Sequence, residues 1–162
     1  MNCLTDPFSL QAAGAGSDSA LTEAIGEVEK QFGTMVIKAR TSIRDRAAAI
    51  HPELHPMGFK VLTILSQSGP MQQVGLAEAV RIDKAMMSRT IKQLEEFGLV
   101  SRCTDPSDGR ALLVDMTAEA RKRYDATLAH ARKLLHDRFS TWDLAEVQRL
   151  ADLLARLNES SG

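Results

Sequence analysis

The sequence predicts a mainly α-helical fold that carries one small β-hairpin. Aromatic residues make up only 4 % of the chain, while Ala and Leu are abundant, which favours helices over a β-sandwich. Apolar residues recur at steps of three and four along most of the chain, as they do on one face of a helix. Between Leu99 and Met116, in contrast, two short apolar runs flank a loop containing Pro and Gly, the pattern of two strands and their turn.

The composition limits the class of protein. With 162 residues, the chain has the length of one domain, alone or with appended helices. The net charge of −1 excludes a polycation that coats nucleic acid, so any anion-binding surface is local. Two cysteines are too few for a disulfide framework or a zinc set, and we expect no cofactor. Without an apolar run of membrane-spanning length, or Lys or Arg before Lys30, a cytoplasmic protein is expected.

The N-terminal half begins with a leader, residues 1–20, followed by a long amphipathic helix. Apolar residues from Leu21 to Ile43 fall in a narrow stripe typical of a helix–helix seam. The run Ser17-Asp18-Ser19 offers candidates for its N-cap. Two prolines, Pro52 and Pro56, then indicate a connector.

Three short helices follow the connector. The first contains the apolar run Phe59–Leu65 and ends near Ser68-Gly69-Pro70, and the second spans about 73–80. Asp83 is the predicted N-cap of the third, which covers residues 84–97 and ends at Gly98 as a left-handed C-cap. Its apolar positions, Met87, Ile91 and Leu94, share one face and predict the side that packs on the core.

The C-terminal half contains the hairpin and two long helices. Strands are predicted over 99–102 and 111–116, with the turn over 103–110. Thr117 is the expected cap of the next helix. Asp143 and Glu146 form a capping box at the start of the last helix, with Trp142 and Val147 as a hydrophobic staple.

This order of elements is the plan of a winged helix-turn-helix domain, in which the second helix of the motif enters the major groove of DNA. The polar face of that helix and the hairpin supply the groups that would meet DNA. They are Lys84, Ser88, Arg89, Lys92 and Arg110.

Two segments resemble the MarR family of bacterial transcriptional regulators. They are LAEAVRIDKAMMSRTIKQLEEFGLVSR, residues 76–102, and DPSDGRALLVDMT, residues 105–117. The wing signature Asp108-Gly109-Arg110 and the Thr that follows the second strand are the most specific part. The resemblance extends over the whole chain after residue 20. It implies a homodimer whose terminal helices interlock and whose two wings flank double-stranded DNA.

The resemblance also implies roles for single residues. Arg110 is expected to enter the minor groove, with Asp108 as its partner acid, while Ser88 and Arg89 contact backbone phosphate or a base edge. The family commonly has hydroxyl residues just before that pair, where this chain has Ala85 and Met86. These two side chains can make apolar contact with thymine methyl groups but cannot hydrogen-bond to base edges. Base readout is therefore expected to depend on Lys84, Arg89 and DNA shape.

From this resemblance we expect two regions after the leader of residues 1–20. A dimerisation region comprises residues 21–54 and 118–160, and the DNA-binding domain comprises residues 55–117. Members of the family bind an anionic aromatic effector between the two, for which a basic group and apolar walls are suitable. The candidates are Arg40, Arg44, His51, Met57 and Phe59. The alternative is that these residues pack the hinge.

Other functions receive less support. Cys3 and Cys103 are candidates for redox sensing, but a strand position without redox chemistry is the favoured interpretation of Cys103. The four histidines do not form a metal-ligand cluster. No nucleophile, acid and His combination or Gly-rich phosphate loop indicates an enzyme. The remaining alternative is a winged helix whose polar face binds an acidic protein.

Overall fold

The structure is a computed structural model that describes residues 12–109 and 111–159. The first half of the expected leader, with Cys3, and the wing residue Arg110 lie outside the described residues. In chain order the elements are α1 (Ala12–Ile50), α2 (Pro56–Ser68), β1 (Met71–Gln72), α3 (Gln73–Val80), α4 (Lys84–Glu96), β2 (Val100–Thr104), β3 (Leu112–Met116), α5 (Ala118–Phe139) and α6 (Leu144–Glu159). The expected mainly α fold with a small β-sheet is confirmed.

The chain divides into two compact units, one ending at Asp45 and the other beginning at Arg46. In the first unit, α1 starts at Ala12, well before the predicted start at Leu21. The N-cap predicted at Ser17-Asp18-Ser19 is therefore wrong, since these residues lie inside the helix. The hydroxyl of Thr22 donates to the carbonyl of Asp18 at 2.8 Å, a helical side-chain bond that the backbone tolerates. The Ala residues before Ser17 explain the earlier start, because Ala has the highest helix propensity.

In the second unit, one hydrophobic core joins α2, α3, α4, the sheet and the start of α5. Leu62, Leu65 and Leu76 are fully buried in it, and Ala120 and Tyr124 of α5 are also buried there. The core contains the apolar face of α4, which fixes that helix against the rest of the unit. Burial of this much aliphatic surface is the main stabilising contribution to the fold.

The sheet has three antiparallel strands in the order β1–β3–β2. The predicted hairpin of β2 and β3 is confirmed, with Val100 opposite Met116 and Thr104 opposite Leu112. The additional strand β1 was not predicted. Its two residues pair with Leu113 and Val114 of β3. A strand of two residues carries no periodic signal, so its partner in the sheet determines it.

The predicted caps of the C-terminal helices are confirmed. The Thr117 hydroxyl oxygen accepts from the amide of Ala120 at 3.2 Å and donates to the carbonyl of Gly98 at 2.9 Å. At the start of α6, the Asp143 carboxylate accepts from the Glu146 amide at 2.8 Å, and the Glu146 carboxylate accepts from the Asp143 amide at 3.0 Å. This is a complete capping box.

Candidate nucleic-acid interface

Helix α4 is positioned by the turn that precedes it and by the cap at its first residue. Leu76, Ala77 and Val80 bury one side of α3 in the core, and the chain then reverses at Arg81. The Asp83 carboxylate accepts from the amide of Met86 at 2.8 Å, so the predicted N-cap of α4 is confirmed. A short polar side chain at this position satisfies an amide that has no partner within the helix.

The C-terminal end of α4 is also closed as predicted. Gly98 has φ +68°, its amide donates to the carbonyl of Glu95 at 2.9 Å, and the amide of Leu99 donates to the carbonyl of Leu94 at 2.9 Å. This pair of bonds is a Schellman motif with Gly in the left-handed position. It leads the chain directly from α4 into β2, and thus places the wing next to the end of the helix.

The two faces of α4 separate as predicted. Met87, Ile91 and Leu94 are at most 1 % exposed and hold the helix against the core. The opposite face is exposed, and it brings together all of the candidates proposed for this helix. They are Lys84, Ala85, Met86, Ser88, Arg89 and Lys92. Sequence reasoning omitted Gln93, which is exposed and lines a shallow groove together with Met86, Arg89 and Lys92. Its spacing of four residues from Arg89 is the signal that could have identified it.

Positive charge on this surface is concentrated toward the N-terminal half of α4. Neither Lys84 nor Arg89 forms a hydrogen bond or ion pair through its side chain with any residue that the structure describes. The two acids lie at the other end and already have partners. Glu96 is 4.0 Å from Lys92, and Glu95 accepts from the Nε of Arg102 at 2.8 Å. Acidic side chains therefore do not neutralise the exposed cations of the first two turns.

The loop of the wing is ordered by its own hydrogen bonds. The Asp105 carboxylate accepts from the hydroxyl of Ser107 at 2.7 Å and from the Ser107 amide at 2.8 Å. Both bonds lower the pKa of Asp105 below its usual value, and the bond from the Ser107 hydroxyl has the larger effect. Because the pKa of Asp105 is lower in the folded chain than in the unfolded chain, both bonds are fully formed at pH values above the ordinary pKa of Asp. They weaken as the pH falls through the lowered pKa of the folded chain. These two bonds of Asp105 are therefore retained near neutral pH.

Both ends of the wing loop are tied together by backbone bonds. The amide of Asp105 donates to the carbonyl of Ala111, and the amide of Ala111 donates to the carbonyl of Asp108, each at 2.9 Å. Asp108 is exposed in this loop. Since Arg110 lies outside the described residues, the expected pairing of Asp108 with Arg110 stays a prediction.

The effector candidates divide between the two units. Arg40 and Arg44 are exposed on α1 in the first unit. In the second unit, the ring of His51 stacks on Phe97 with 3.9 Å between centroids, and Met57 is half-buried against the core. Phe59 is 5 % exposed. These three side chains are thus engaged in packing within their own unit.

Arg46 is a basic residue that sequence reasoning omitted. Its guanidinium carbon lies 4.9 Å from the centroid of the Phe59 ring, and the ring of Tyr124 is 5.7 Å from that of Phe59. The Nε of Arg46 is buried without a hydrogen-bond partner among the described residues. Arg46 lies next to the buried Ala47 at the end of α1, and the sequence carries no signal for its contact with Phe59.

Other features of the described chain bear on alternative functions. Cys103 is exposed on β2. In the described parts of the chain, no three His, Cys, Asp or Glu side chains converge as they would around a metal ion. No helix among the described residues combines the length and apolarity required to cross a bilayer.

Comparison with known proteins places the chain in a family. The model of the MarR family matches residues 54–112, which include α2 to α4, β2 and the wing loop. The chain is 32 % identical over 102 residues to the uncharacterized HTH-type transcriptional regulator YdgJ of Bacillus subtilis, covering 63 % of this chain and 62 % of YdgJ. It is 26 % identical over 146 residues to the HTH-type transcriptional repressor NicR of Pseudomonas putida, covering 89 % of this chain and 92 % of NicR.

Solved structures show the same fold. The crystal structure of YusO from Bacillus subtilis matches with a TM-score of 0.72 at 16 % identity, covering 86 % of this chain and 98 % of YusO. The sequence motifs, the arrangement of α3, α4 and the wing, and these matches agree with one another. The chain therefore belongs to the MarR family.

Proposed function

We propose that this protein is a transcriptional regulator that binds double-stranded DNA in a sequence-specific manner through the outer face of α4. The observation that carries the proposal is the division of α4 into a fully buried apolar face and an exposed face with unpaired cations, Lys84 and Arg89. A helix held in this way at the surface can enter the major groove without disturbing the core. The names of the relatives YdgJ and NicR, both HTH-type regulators, support it.

The side chains of the interface divide into two groups. Lys84, Arg89 and Lys92 supply positive charge for phosphates, and an Arg also recognises guanine through two hydrogen bonds. Ala85 and Met86, both exposed, offer apolar contact to thymine methyl groups. Ser88 adds one hydroxyl. The recognition surface therefore favours sites in which thymine methyl groups lie next to a guanine.

The wing contributes a second set of contacts. In this proposal Arg110 inserts into the minor groove beside the site read by α4, and Asp108 orients it. The proposal for these two residues rests on the family's wing signature. Support comes from the bonds within the loop, which hold residues 105–109 in one conformation.

The protein acts as a homodimer on a pseudo-palindromic operator. The homodimer is supported by apolar side chains that are exposed along α1 and α6. An apolar stripe on a helix normally packs against another surface. On α1, Leu21, Ile25, Val28 and Met35 share one face and are between 50 and 61 % exposed. On α6, Leu144, Leu153, Leu154 and Leu157 are between 37 and 72 % exposed. Residues 21–54 and 118–160 form the dimerisation region, and residues 55–117 bind DNA.

In this proposal the protein represses transcription, and a bound ligand releases the repression. One relative, NicR, is named a repressor. Two recognition helices of a dimer must lie about 34 Å apart to enter successive major grooves. A small anionic aromatic effector would lower DNA affinity if it binds better to a state with another spacing. Arg40 and Arg44, both exposed on α1, are the candidates whose charge is available to hold such an anion.

The test is a salt titration of binding to two duplexes, measured by fluorescence anisotropy. One duplex contains the intergenic DNA upstream of the gene for this protein, and the other has a mixed sequence of the same length. We expect the logarithm of the binding constant to fall linearly and steeply with the logarithm of salt concentration, with tighter binding to the upstream DNA. Absence of salt-dependent binding to both duplexes would contradict the proposal and favour an acidic protein as the partner of α4.

A further inference from the structure

The turn between α3 and α4 contains an unusual backbone conformation. Arg81 has φ +63° and ψ +50°, and among the described residues it is the one residue other than glycine with positive φ. Its amide donates to the carbonyl of Glu78 at 3.1 Å, and the amide of Ile82 donates to the carbonyl of Ala77 at 3.0 Å. These bonds form a Schellman motif in which Arg stands at the position that Gly usually occupies.

This conformation is unfavourable for Arg. In the left-handed region the Cβ atom of an L-residue approaches the following carbonyl oxygen, whereas Gly has no Cβ and Asn tolerates the region through its short polar side chain. The same chain has Gly98 in the equivalent position at the end of α4. Gly would therefore close α3 equally well and with less strain. Strained residues of this kind occur preferentially at functional sites.

The Arg81 side chain is available to bind an anion. It is exposed, and it makes no hydrogen bond or ion pair with any part of the chain that the structure describes. Two acids are near it in sequence. Asp83 is engaged in capping α4, and the Glu78 carboxylate has no ion pair with a described residue. Lys84 follows three residues later, in the first turn of α4, and that turn contains no acidic residue.

The place of Arg81 in the motif suggests which anion it meets. When the second helix of a helix-turn-helix enters the major groove by its N-terminal residues, the first helix crosses the DNA backbone. The turn that joins them then lies at the rim of the groove, beside the phosphates. A guanidinium at this point is complementary to a phosphate, to which it donates two parallel hydrogen bonds.

We propose that Arg81 is a DNA-backbone contact that binds a phosphate at the edge of the groove and so sets the register of α4. The inference rests on the proposed DNA-binding function and adds a contact outside α4 and the wing. Phosphate contacts of this kind position a protein on the duplex without reading its sequence. Arg81 therefore strengthens binding to every duplex by a similar factor.

The test compares Arg81→Asn, Arg81→Gly and Arg81→Lys with the unaltered protein on a duplex of mixed sequence, over a range of salt concentrations. Asn and Gly both accept the left-handed conformation but remove the charge, while Lys keeps it. In the Asn and Gly variants, we expect the slope of log K against log salt to become shallower by about 0.9 for each phosphate that the protein no longer neutralises. The Lys variant should keep most of the slope.

Thermal melting of the same variants separates binding from folding. We expect Arg81→Gly to melt at or above the temperature of the unaltered protein, because it relieves the strain at the turn. An unchanged slope in both Arg81→Asn and Arg81→Gly, while the unaltered protein shows a steep one, would overturn the role of Arg81 alone. A flat slope for the unaltered protein would instead overturn the proposed function, and the role of Arg81 with it.

Discussion

Gly58 of α2 lies against Leu94 of α4 with little room for a side chain. A Cβ placed on Gly58 would lie 2.7 Å from the Cδ1 of Leu54 and 3.1 Å from the Cδ2 of Leu94. Leu94 belongs to the buried face of α4, so the absence of a side chain at Gly58 allows α4 to lie where it does. The orientation of the proposed DNA-binding surface thus depends on a residue that does not belong to it.

We expect Gly58→Ala to lower the free energy of unfolding by about 1–3 kcal/mol, because the core around Leu54 and Leu94 must shift to make room. Urea denaturation measures the change. Gly75→Ala serves as the control, since its Cβ would meet only the flexible terminal methyl of Met71 at 3.3 Å. Equal stability of the two variants would show that the close approach at Gly58 does not constrain α4.

At the scale of single residues, the sequence predicts the features that depend only on neighbouring residues in the chain. Asp83, Thr117 and Asp143 were identified as caps because each is a short polar residue just before a run with helical apolar spacing. A side-chain oxygen at that position accepts from a backbone amide of the first turn. Arg81 in the left-handed conformation was not foreseen, since Arg gives no signal for it. Arg46 was also missed, because its relation to Phe59 depends on how α1 and α2 pack.

Among the elements, α4 and the wing are joined by a polar contact as well as by the chain. The Nε of Arg102 on β2 donates to the Glu95 carboxylate of α4 at 2.8 Å, and a second nitrogen of the guanidinium lies 3.4 Å from the other oxygen. Both side chains are about one-third exposed, at 33 % and 32 %. A partly shielded, two-bond contact is stronger than an ordinary surface ion pair.

A double-mutant cycle with Arg102→Ala and Glu95→Ala should give a coupling energy of about 0.5–1 kcal/mol, measured by urea denaturation. The pair Lys133 and Asp137 on α5 is the comparison. It is separated by 2.9 Å but is 74 % and 53 % exposed, so its coupling should be smaller because water screens it. A coupling for Arg102 and Glu95 no larger than that of the exposed pair would contradict a structural link between α4 and the wing.

The sequence predicts some helices and strands correctly and misses others. The hairpin was identified because its turn carries Pro and Gly between two apolar runs, and α4 because its apolar period is strong. The strand β1 was missed, since pairing of Met71 with Val114 depends on residues far apart in sequence. The start of α1 was placed too late, because Ser and Asp act as caps in one context and as ordinary helix residues in another.

At the scale of the whole molecule, α1 and α6 each carry several exposed apolar side chains, and a helix face of this kind normally packs against another surface. The exposure on α1 agrees with the helix–helix seam that the sequence predicts from Leu21 to Ile43. We have therefore proposed a homodimer. In that assembly the spacing of the two α4 helices depends on contacts far from DNA.

We expect Leu154→Glu to convert the proposed dimer into a monomer, because a charge buried in an apolar interface has no partner. Size-exclusion chromatography with light scattering should show the molar mass falling by about half, to that of one chain. Gln148→Glu is the matched control, since it adds a charge to an exposed position of α6 outside the apolar seam. Dimerisation by α6 would be disproved if Leu154→Glu kept the mass of the unaltered protein.

The most direct test of DNA binding through the outer face of α4 is the affinity of Arg89→Ala for the upstream duplex, measured by fluorescence anisotropy at fixed salt. Arg132→Ala, which removes the same charge from an exposed position on α5, is the control, with its molar mass shown by light scattering to equal that of the unaltered protein. We predict that Arg89→Ala weakens binding about tenfold or more while Arg132→Ala leaves it nearly unchanged. Equal affinities of Arg89→Ala and the unaltered protein, with both folded, would contradict a recognition role for this face of α4.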